Sequence, residues 1–124
     1  DTSRVVAQSP NANTLCTSSV AISQTTSTDV LTLTNRGHIC SIILVSDTAQ
    51  FINVITGTGT VCATGGAALI GSTTAGNGLS VSANGGFSAV SDRAWIRTPS
   101  AVHVCVTQSG SGRLSGVITY SDQS

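Results

Sequence analysis

The chain has 124 residues and a formal net charge of zero, and charged residues make up only 8% of it. This length allows one domain built around one core. The five basic residues are all Arg and form no cluster, which argues against nucleic acid as a partner because such binding depends on clustered positive charge. No apolar run is long enough to cross a bilayer, so we expect no membrane partner either.

The residue types that are missing predict the fold class. Lys, Glu and Met are absent, and these are straight-chain residues that favour helices. Thr, Val, Ser and Gly are abundant instead, and Ser and Thr together fill 37 of the 124 positions. Because these residues favour strands and turns, the composition predicts an all-β protein whose surface is polar through hydroxyls rather than charges.

The first residues differ from the rest of the chain. Residues 1–13 mix Ser, Asn, Pro and Gln around a short apolar run. This pattern predicts an extended arm, with the β domain covering residues 14–124. Arms of this kind often dock on a neighbouring molecule, so Arg4, Val5 and Val6 are candidate surface contacts.

Alternating apolar residues predict four strands in the first half of the domain, at 14–24, 29–34, 39–45 and 51–55. The third is the most continuous apolar run in the chain, which indicates a central strand buried on both faces. We expect it to form a hairpin with the fourth. Between the second and third strands, Asn35-Arg36-Gly37 is a turn by residue type.

The second half opens with a glycine-threonine loop at 57–66, which we interpret as a crossover between two halves of the domain. Asn77-Gly78 and Asn84-Gly85 then bracket a short strand, and these dipeptides are typical of hairpin turns. Further strands are predicted at 67–71, 87–90, 94–96, 101–107 and 114–120. The total of about eight to ten short strands predicts a single antiparallel β-sandwich or jelly roll.

The four cysteines, Cys16, Cys40, Cys62 and Cys105, favour an oxidising destination outside the cytosol. No C-x-x-C pair is present, which excludes a zinc ribbon or a thioredoxin-type motif, and three disulfide pairings remain. We favour Cys16–Cys40 with Cys62–Cys105, since each bridge would join strand-like segments within one half or across the glycine loop. In the chain-entropy model these bridges would contribute about 3.5 and about 4 kcal/mol. The start at Asp1 rather than Met also leads us to expect a processed chain.

A metal site is the alternative use of these cysteines. His38 lies two residues before Cys40, and His103 lies two residues before Cys105, so each pair would share one face of a strand. If those strands were neighbours, they would present a tetrahedral Cys₂His₂ zinc site. We favour disulfides and expect no metal, with both histidines as ordinary strand-face residues.

The residue combinations that enzymes need are missing. Neither histidine lies in a recognisable catalytic signature, and no G-x-S-x-G motif occurs. The glycine loop lacks the Lys of a phosphate-binding loop, and the absence of Glu argues against paired-carboxylate chemistry. We therefore expect neither enzyme activity nor a cofactor.

A sugar-binding surface would need exposed aromatic rings, and the chain has few. Trp95, flanked by Arg93 and Arg97, is the one plausible surface ring, with the guanidinium groups stacked on it. A core or interface position is the more frequent one for a Trp in a chain with so few large apolar residues. Because it is the one plausible surface ring, we nevertheless name Trp95 as a candidate surface contact.

Several motifs carry a family resemblance over about residues 51–121. In chain order they are G-T-G-T-x-C-A-T-G, A-L-I-G, G-L-S-x-x-x-N-G-G and V-C-V-T-Q-S-G-S-G-R-L-S-G-V-I-T-Y. This order resembles small virion proteins of tailed bacteriophages, of the capsid-decoration or head-fibre kind. In such relatives the loop Cys and the Cys of the penultimate strand tend to occur together, which supports the pairing of Cys62 with Cys105.

The resemblance implies a non-enzymatic protein of the virion surface or extracellular space. It would coat a capsid or build a projection, as a homo-oligomer, bound to the major capsid protein, or both. Flat, weakly charged faces rich in hydroxyls and a dockable arm suit such a role. The rival interpretations are a secreted carbohydrate-binding domain, with glycan as the partner, and an adhesin or pilin-like subunit.

Overall fold

The structure is a computed structural model that describes residues 15–123. The predicted arm at residues 1–13, with Arg4, Val5 and Val6, lies outside the described residues. The described part is all-β, as the composition predicted, with ten strands and two three-residue 3₁₀ turns. These residues include no α-helix, and neither 3₁₀ turn has the length or apolar character needed to span a membrane.

The elements follow one another in this order: β1 (Ser18–Gln24), β2 (Thr28–Thr32), β3 (Arg36–Ser46), β4 (Gln50–Thr58), a 3₁₀ turn (Thr60–Cys62), β5 (Thr64–Ile70), a second 3₁₀ turn (Ala75–Asn77), β6 (Leu79–Val81), β7 (Gly86–Ala89), β8 (Ile96–Ser100), β9 (His103–Gln108) and β10 (Leu114–Gln123).

The strands form two five-stranded antiparallel sheets. Sheet A has the order β1-β10-β3, with β7 and β8 both paired to the outer edge of β3. Sheet B has the order β2-β9-β4, with β5 and β6 both paired to the outer edge of β4. If β5 and β6 are counted as one interrupted strand, and β7 and β8 as another, the chain has eight strand positions. The first position pairs with the eighth, the second with the seventh, the third with the sixth and the fourth with the fifth. This nested pairing is a long hairpin rolled into two sheets, which is a jelly roll.

The two sheets pack face to face through one cluster of aliphatic side chains. Directly paired residues carry their side chains on the same face, so the row Val20, Ile118 and Ile42 lies on the inner side of sheet A. From sheet B, Val54 and Val106 pair with each other and pack into the same cluster. Fully burying such a side chain contributes about 1.5–3 kcal/mol, so this cluster is the main source of stability.

β3 is a central strand, as predicted, and its residues 37–42 are buried on both faces, but the predicted burial is wrong at the end of the run, where Val45 is exposed. The expected hairpin between β3 and β4 is wrong, however, because β3 lies in sheet A and β4 in sheet B. Residues 47–49 take the chain over one end of the sandwich between them. An apolar run indicates burial but not the partner strand, so a hairpin and a corner between sheets look alike in the sequence.

The glycine-threonine loop is a hairpin loop and not a crossover between halves. It connects β4 to β5, which are neighbours in sheet B with Thr58 paired to Thr64. Gly59 has a φ of +78°, but Val61 and Cys62 also have positive φ, an uncommon conformation for residues with a side chain. The glycines alone therefore do not account for the backbone conformation of this loop. The Cys62–Cys105 disulfide ties the loop to β9.

The two Asn-Gly dipeptides form turns, but neither joins two paired strands. The Gly85 N–H donates to the Ser82 carbonyl O and Asn84 has a φ of +62°, as in a tight turn. This turn nevertheless takes the chain from β6 in sheet B to β7 in sheet A. Asn77 ends a 3₁₀ turn that precedes β6. The hairpin expectation is wrong at both sites, because the dipeptide specifies a local turn and not the sheet that each flank joins.

The turn expected at Asn35-Arg36-Gly37 lies earlier, since Arg36 and Gly37 already belong to β3. An added Cβ at Gly37 would come within 2.6 Å of Leu33 Cδ1 and 3.0 Å of Thr98 Oγ1. Glycine is thus required here for close packing and not for a turn.

Three buried glutamines join strand ends at one end of the sandwich. Gln24 Nε2 donates to Gln108 Oε1 at 3.1 Å, and Gln108 Nε2 donates to Gln50 Oε1 at 3.3 Å and to the Gly112 carbonyl O at 2.6 Å. Gln50 Nε2 in turn donates to Ser46 Oγ at 2.9 Å. The network connects β1, β3, β4 and β9, and the sequence analysis singled out none of its members. Leaving one such buried amide without a partner costs about 1–3 kcal/mol.

Asn53 holds the loop between β5 and β6 over the outer side of sheet B. Its side chain is fully buried, Nδ2 donates to Thr107 Oγ1 at 3.0 Å, and Oδ1 accepts from the Ser72 backbone N–H at 2.7 Å. Gly71 and Gly78 pack directly on the Asn53 amide, and a Cβ at either position would overlap it. The loop thus depends on two glycines that leave room for one buried amide.

We expect Gly78→Ala to destabilise the protein by about 1–3 kcal/mol, because the added Cβ would overlap Asn53 Oδ1 and the Ile52 carbonyl O. Gly76→Ala is the matched control in the same loop. Its Cβ would meet no atom within 4 Å and its φ is not positive, so we expect a change within about 0.5 kcal/mol. Urea unfolding of both variants measures the difference. Equal stabilities would contradict the packing of this loop on Asn53.

Candidate functional site

The structure contains the two favoured disulfides. Cys16–Cys40 joins the segment before β1 to β3, and Cys62–Cys105 joins the first 3₁₀ turn to β9. No cysteine among the described residues is free. Two disulfides in a small chain indicate an oxidising, extracellular type of environment.

The metal alternative required the strands of His38 and His103 to be neighbours. They are not, because His38 lies on β3 in sheet A and His103 on β9 in sheet B. The four sulfur atoms are also joined in disulfides, and zinc binds the thiolate form of Cys. The geometry therefore contradicts a shared Cys₂His₂ site.

Asp29 lies against the Cys62–Cys105 disulfide on the outer side of sheet B. Its Oδ1 is 2.6 Å from Cys105 Sγ, and its Oδ2 accepts from the Val61 backbone N–H at 3.2 Å. Oδ2 also lies 3.4 Å from His103 Nδ1, an ion-pair distance without hydrogen-bond alignment. Because the sulfur atoms are oxidised, the carboxylate is the one member of the group Asp29, Cys62 and Cys105 that could ligate a cation. The cluster holds the first 3₁₀ turn against β2 and β9.

A groove with a volume of about 370 Å³ opens beside this disulfide. The strand residues Ile55 and Thr107 and the loop residues Val61 and Thr73 contribute to its lining, and none of its lining residues is charged. It contains Cys62 but no other residue that the sequence analysis selected. The groove offers apolar contact and hydroxyls but no charged group to orient a ligand.

The outer face of sheet A carries rows of side chains without a charged member. Cross-strand pairing places three rows of side chains on it, from β1 across β10 and β3 toward β7. The rows are Ala21, Val117, Ile43 and Ser88 in the middle, with Ser19, Thr119 and Ser41 on one side and Ser23, Ser115, Val45 and Gly86 on the other. Arg113 reaches one corner, where its Nη1 donates to Ser23 Oγ at 2.8 Å. We call this surface the outer face.

A small cleft lies toward the start of β3, where β8 pairs with it. We call it the His38 cleft, and it has a volume of about 70 Å³ and is lined by His38, Ala94, Trp95, Ile96 and Arg97. His38 and Arg97 are direct cross-strand partners, so their side chains share one face.

Trp95 stands at the rim of this cleft with half of its surface exposed. Its backbone N–H donates to the Ile39 carbonyl O at 3.0 Å, and its indole Nε1 donates to the Cys40 carbonyl O at 2.7 Å. These two hydrogen bonds hold the ring at the edge of β3. The structure thus places Trp95 at the surface, where it was a candidate contact, and not in the core.

His38 is only 4% exposed, and its Nδ1 has no hydrogen-bond partner in the structure. Burial lowers the pKa of His38 below its ordinary value of 6.5, and the nearby positive charges of Arg97 and Arg36 lower that pKa further. The imidazole is therefore neutral at pH 7. Arg36 and Arg97 form no ion pair within residues 15–123.

Sequence reasoning identified Trp95 but missed the group around it. It treated His38 as a zinc ligand or an ordinary strand-face residue, and Arg97 only as a neighbour of Trp95. The signal that was available is the placement of His38 two residues before Cys40, on the outward face of a central strand. Its meeting with Arg97 depends on the pairing of β3 with β8, which no local pattern specifies.

These features define the protein as a disulfide-linked β-sandwich of jelly-roll connectivity with an uncharged outer face and one cationic cleft. No protein-family model, curated protein or solved structure matches the chain. Its class therefore rests on the structure, and an assignment to any family rests on the sequence motifs alone.

We expect the protein to lose stability as the pH falls below about 6.5. The native pKa of His38 is lowered, so between 6.5 and that lowered pKa the unfolded chain takes up a proton that the native protein does not. The contribution is fully present above pH 6.5 and is lost as the pH falls. Urea unfolding at pH ~7.5 and ~5 should show a smaller loss for His38→Asn than for the unchanged protein.

His103→Asn, which replaces the chain's other histidine, is the control for this measurement. An equal loss of stability in His38→Asn and in the unchanged protein would show that His38 is not the group responsible.

Proposed function

We propose that the protein is a non-enzymatic structural subunit that associates through the uncharged outer face of sheet A. The observation that carries this proposal is the composition of that face, which consists of hydroxyl and aliphatic side chains in three cross-strand rows. Val45 and Ala21 are exposed on it, whereas Ile118 and Ile42 of the inner side are fully buried. Such a face loses no charge hydration on contact, and the cores of protein interfaces are depleted in charged residues.

The size of the outer face indicates how it is used. The three rows hold eleven positions, spaced by about 4.8 Å between strands and about 6.8 Å between rows, which gives an area of about 360 Å². A stable pair of proteins normally buries about 800 Å² on each partner, so one such contact is weak. Weak contacts of this kind hold subunits that are bound at several points at once, as in an array or on the surface of a larger particle.

The particle we propose is a virion, which the subunit would decorate or from which it would project. The motifs that resemble small virion proteins of tailed bacteriophages support this, as does the jelly roll, a fold found in viral capsid proteins and also in lectins. Its partners would be further copies of the chain, the major capsid protein, or both. Disulfides are compatible with a location on the outside of such a particle.

We expect Ala21→Asp to weaken self-association by about tenfold or more, because it places a charge at the edge of the middle row of the outer face. Ala21 is exposed, so the carboxylate remains hydrated in the monomer and the fold is retained. Sedimentation velocity at increasing protein concentration measures the change.

Ala83→Asp is the matched control for this test. Ala83 is also exposed, but it lies in the turn between β6 and β7 and belongs to none of the three rows. We expect it to associate like the unchanged protein. Equal association of both Asp variants would exclude the outer face as the contact.

A second candidate function is carbohydrate binding, and the exposure of Trp95 favours it. Trp95 is 50% exposed and its ring is held in place by the hydrogen bond to the Cys40 carbonyl O. A fixed, exposed indole is the kind of surface on which the apolar face of a sugar stacks.

A glycan array tests this second function. We expect Trp95→Ala to abolish any array signal, because it removes the stacking surface. Phe51→Ala is the matched control, since Phe51 is also partly exposed but lies on sheet B. An empty array for the unchanged protein, or a signal that survives Trp95→Ala, would exclude a lectin site at Trp95.

A further inference from the structure

Within the part of the chain that the structure describes, the His38 cleft combines a buried polar atom that has no hydrogen-bond partner with an Arg that forms no ion pair. His38 Nδ1 is buried and has no hydrogen-bond partner in the structure. A buried polar atom normally has a partner, and among the described residues Gln24 Oε1 and His103 Nδ1 are the other exceptions; of the three, only His38 lines a cleft together with an Arg. Because His38 and Ala94 to Arg97 together line the cleft, a group bound there would lie next to the imidazole.

The charges around the cleft select an anion. Arg97 lines it, and Arg36 is close enough to act on the charge state of His38. The acidic residues of this region are engaged elsewhere: Asp122 accepts from the Thr34 and Asn35 backbone N–H groups, and Asp92 lies 3.8 Å from Arg93. The positive charge of Arg97 therefore faces the cleft without a neutralising partner within residues 15–123.

A neutral His38 is compatible with the binding of an anion in this cleft. A neutral imidazole binds through one hydrogen bond and adds no charge, so the guanidinium of Arg97 is the charged partner of the anion. A planar guanidinium binds a carboxylate through two parallel N–H···O bonds, which orients the carboxylate as well as attracting it.

The size of the cleft limits what enters it. Its volume of about 70 Å³ admits one small group and not a whole sugar ring. The half-exposed Trp95 ring stands at its rim, where it offers an apolar platform next to the charged recess. A ligand that fits both parts carries a carboxylate beside an apolar ring face, which is the chemistry of an acidic sugar.

We propose that the His38 cleft binds the carboxylate of an acidic saccharide, such as a uronic acid residue, whose ring stacks on Trp95. Arg97 holds the carboxylate, the His38 imidazole completes its hydrogen bonding, and the indole contacts the sugar ring. This assignment deepens the carbohydrate-binding function and is independent of association through the outer face. A variant of the outer face such as Ala21→Asp should leave it unchanged.

The chain has one Trp, so intrinsic tryptophan fluorescence reports directly on this site. The experiment is a fluorescence titration with a trigalacturonate at low salt. We expect a saturable change, and we expect the fully methyl-esterified trisaccharide to bind about tenfold more weakly or worse, because esterification removes the charge and leaves the sugar rings in place. Added salt should weaken the binding of the acid form only.

Arg97→Gln is the test variant and Arg113→Gln the matched control. Both remove one exposed Arg, but Arg113 lies at the far corner of the outer face, beside Ser23. We expect about a tenfold or greater loss of trigalacturonate affinity for Arg97→Gln and less than about a twofold change for Arg113→Gln. Circular dichroism of both variants verifies that the fold is retained.

The outcomes separate the parts of the proposal. Absence of a saturable change, or equal losses in the two Arg variants, would overturn the site. Equal affinity for the acid and its methyl ester would overturn the carboxylate assignment while leaving a neutral-sugar lectin possible. Equally tight binding of acetate or of an acidic peptide would show that the cleft recognises the anion and not the saccharide, which would also overturn the proposal.

Discussion

The packing of the inner sides of β3 and β4 on one another is the interaction on which the rest of the structure depends. These are the central strands of the two sheets, and Ile42 and Leu44 of one belong to the same buried cluster as Ile52 and Val54 of the other. Every other strand is positioned by pairing with β3, with β4 or with their direct neighbours β10 and β9. The corner at residues 47–49 allows the two runs to face each other, and the buried glutamines seal the same end of the sandwich. The cluster fixes which residues of each strand face inward, so the alternate residues form the outer surfaces.

The scarcity of charge has a different meaning on each surface. On the outer face of sheet A it leaves hydroxyl and aliphatic rows that can be covered without removing an ion from water, which favours contact with another protein. At the groove beside Cys62 it leaves a cavity with no charged group to orient a ligand. At the His38 cleft the few charges are concentrated, since Arg36 and Arg97 are both close to one buried imidazole. In a chain with only five basic residues, that concentration distinguishes the cleft from the outer face and the groove.

One feature of the cleft would be unfavourable if its only role were structural. A buried imidazole nitrogen without a partner among the described residues costs about 1–3 kcal/mol, and an aliphatic residue at position 38 would avoid that cost. In the proposed complex, an anion bound beside His38 and Arg97 would offset it, next to the indole whose Nε1 donates to the Cys40 carbonyl O. Assembly and binding would then use separate parts of sheet A, since the outer face begins farther along β3.

The sequence by itself determined the fold class, because Lys, Glu and Met are absent, Thr, Val, Ser and Gly are abundant, and apolar residues alternate along the chain, a pattern that favours strands. It also favoured the observed disulfides and named Trp95 as a candidate surface residue, which the structure places half exposed. Only the tertiary structure decided which strands pair. The hairpins expected for β3 with β4 and at Asn84-Gly85 are corners between sheets, because local residue types specify a turn while the shared core selects the sheet that each strand joins. For the same reason only the structure could bring Arg97 to His38, since their contact is made by the pairing of β8 with β3 and not by any spacing along the chain.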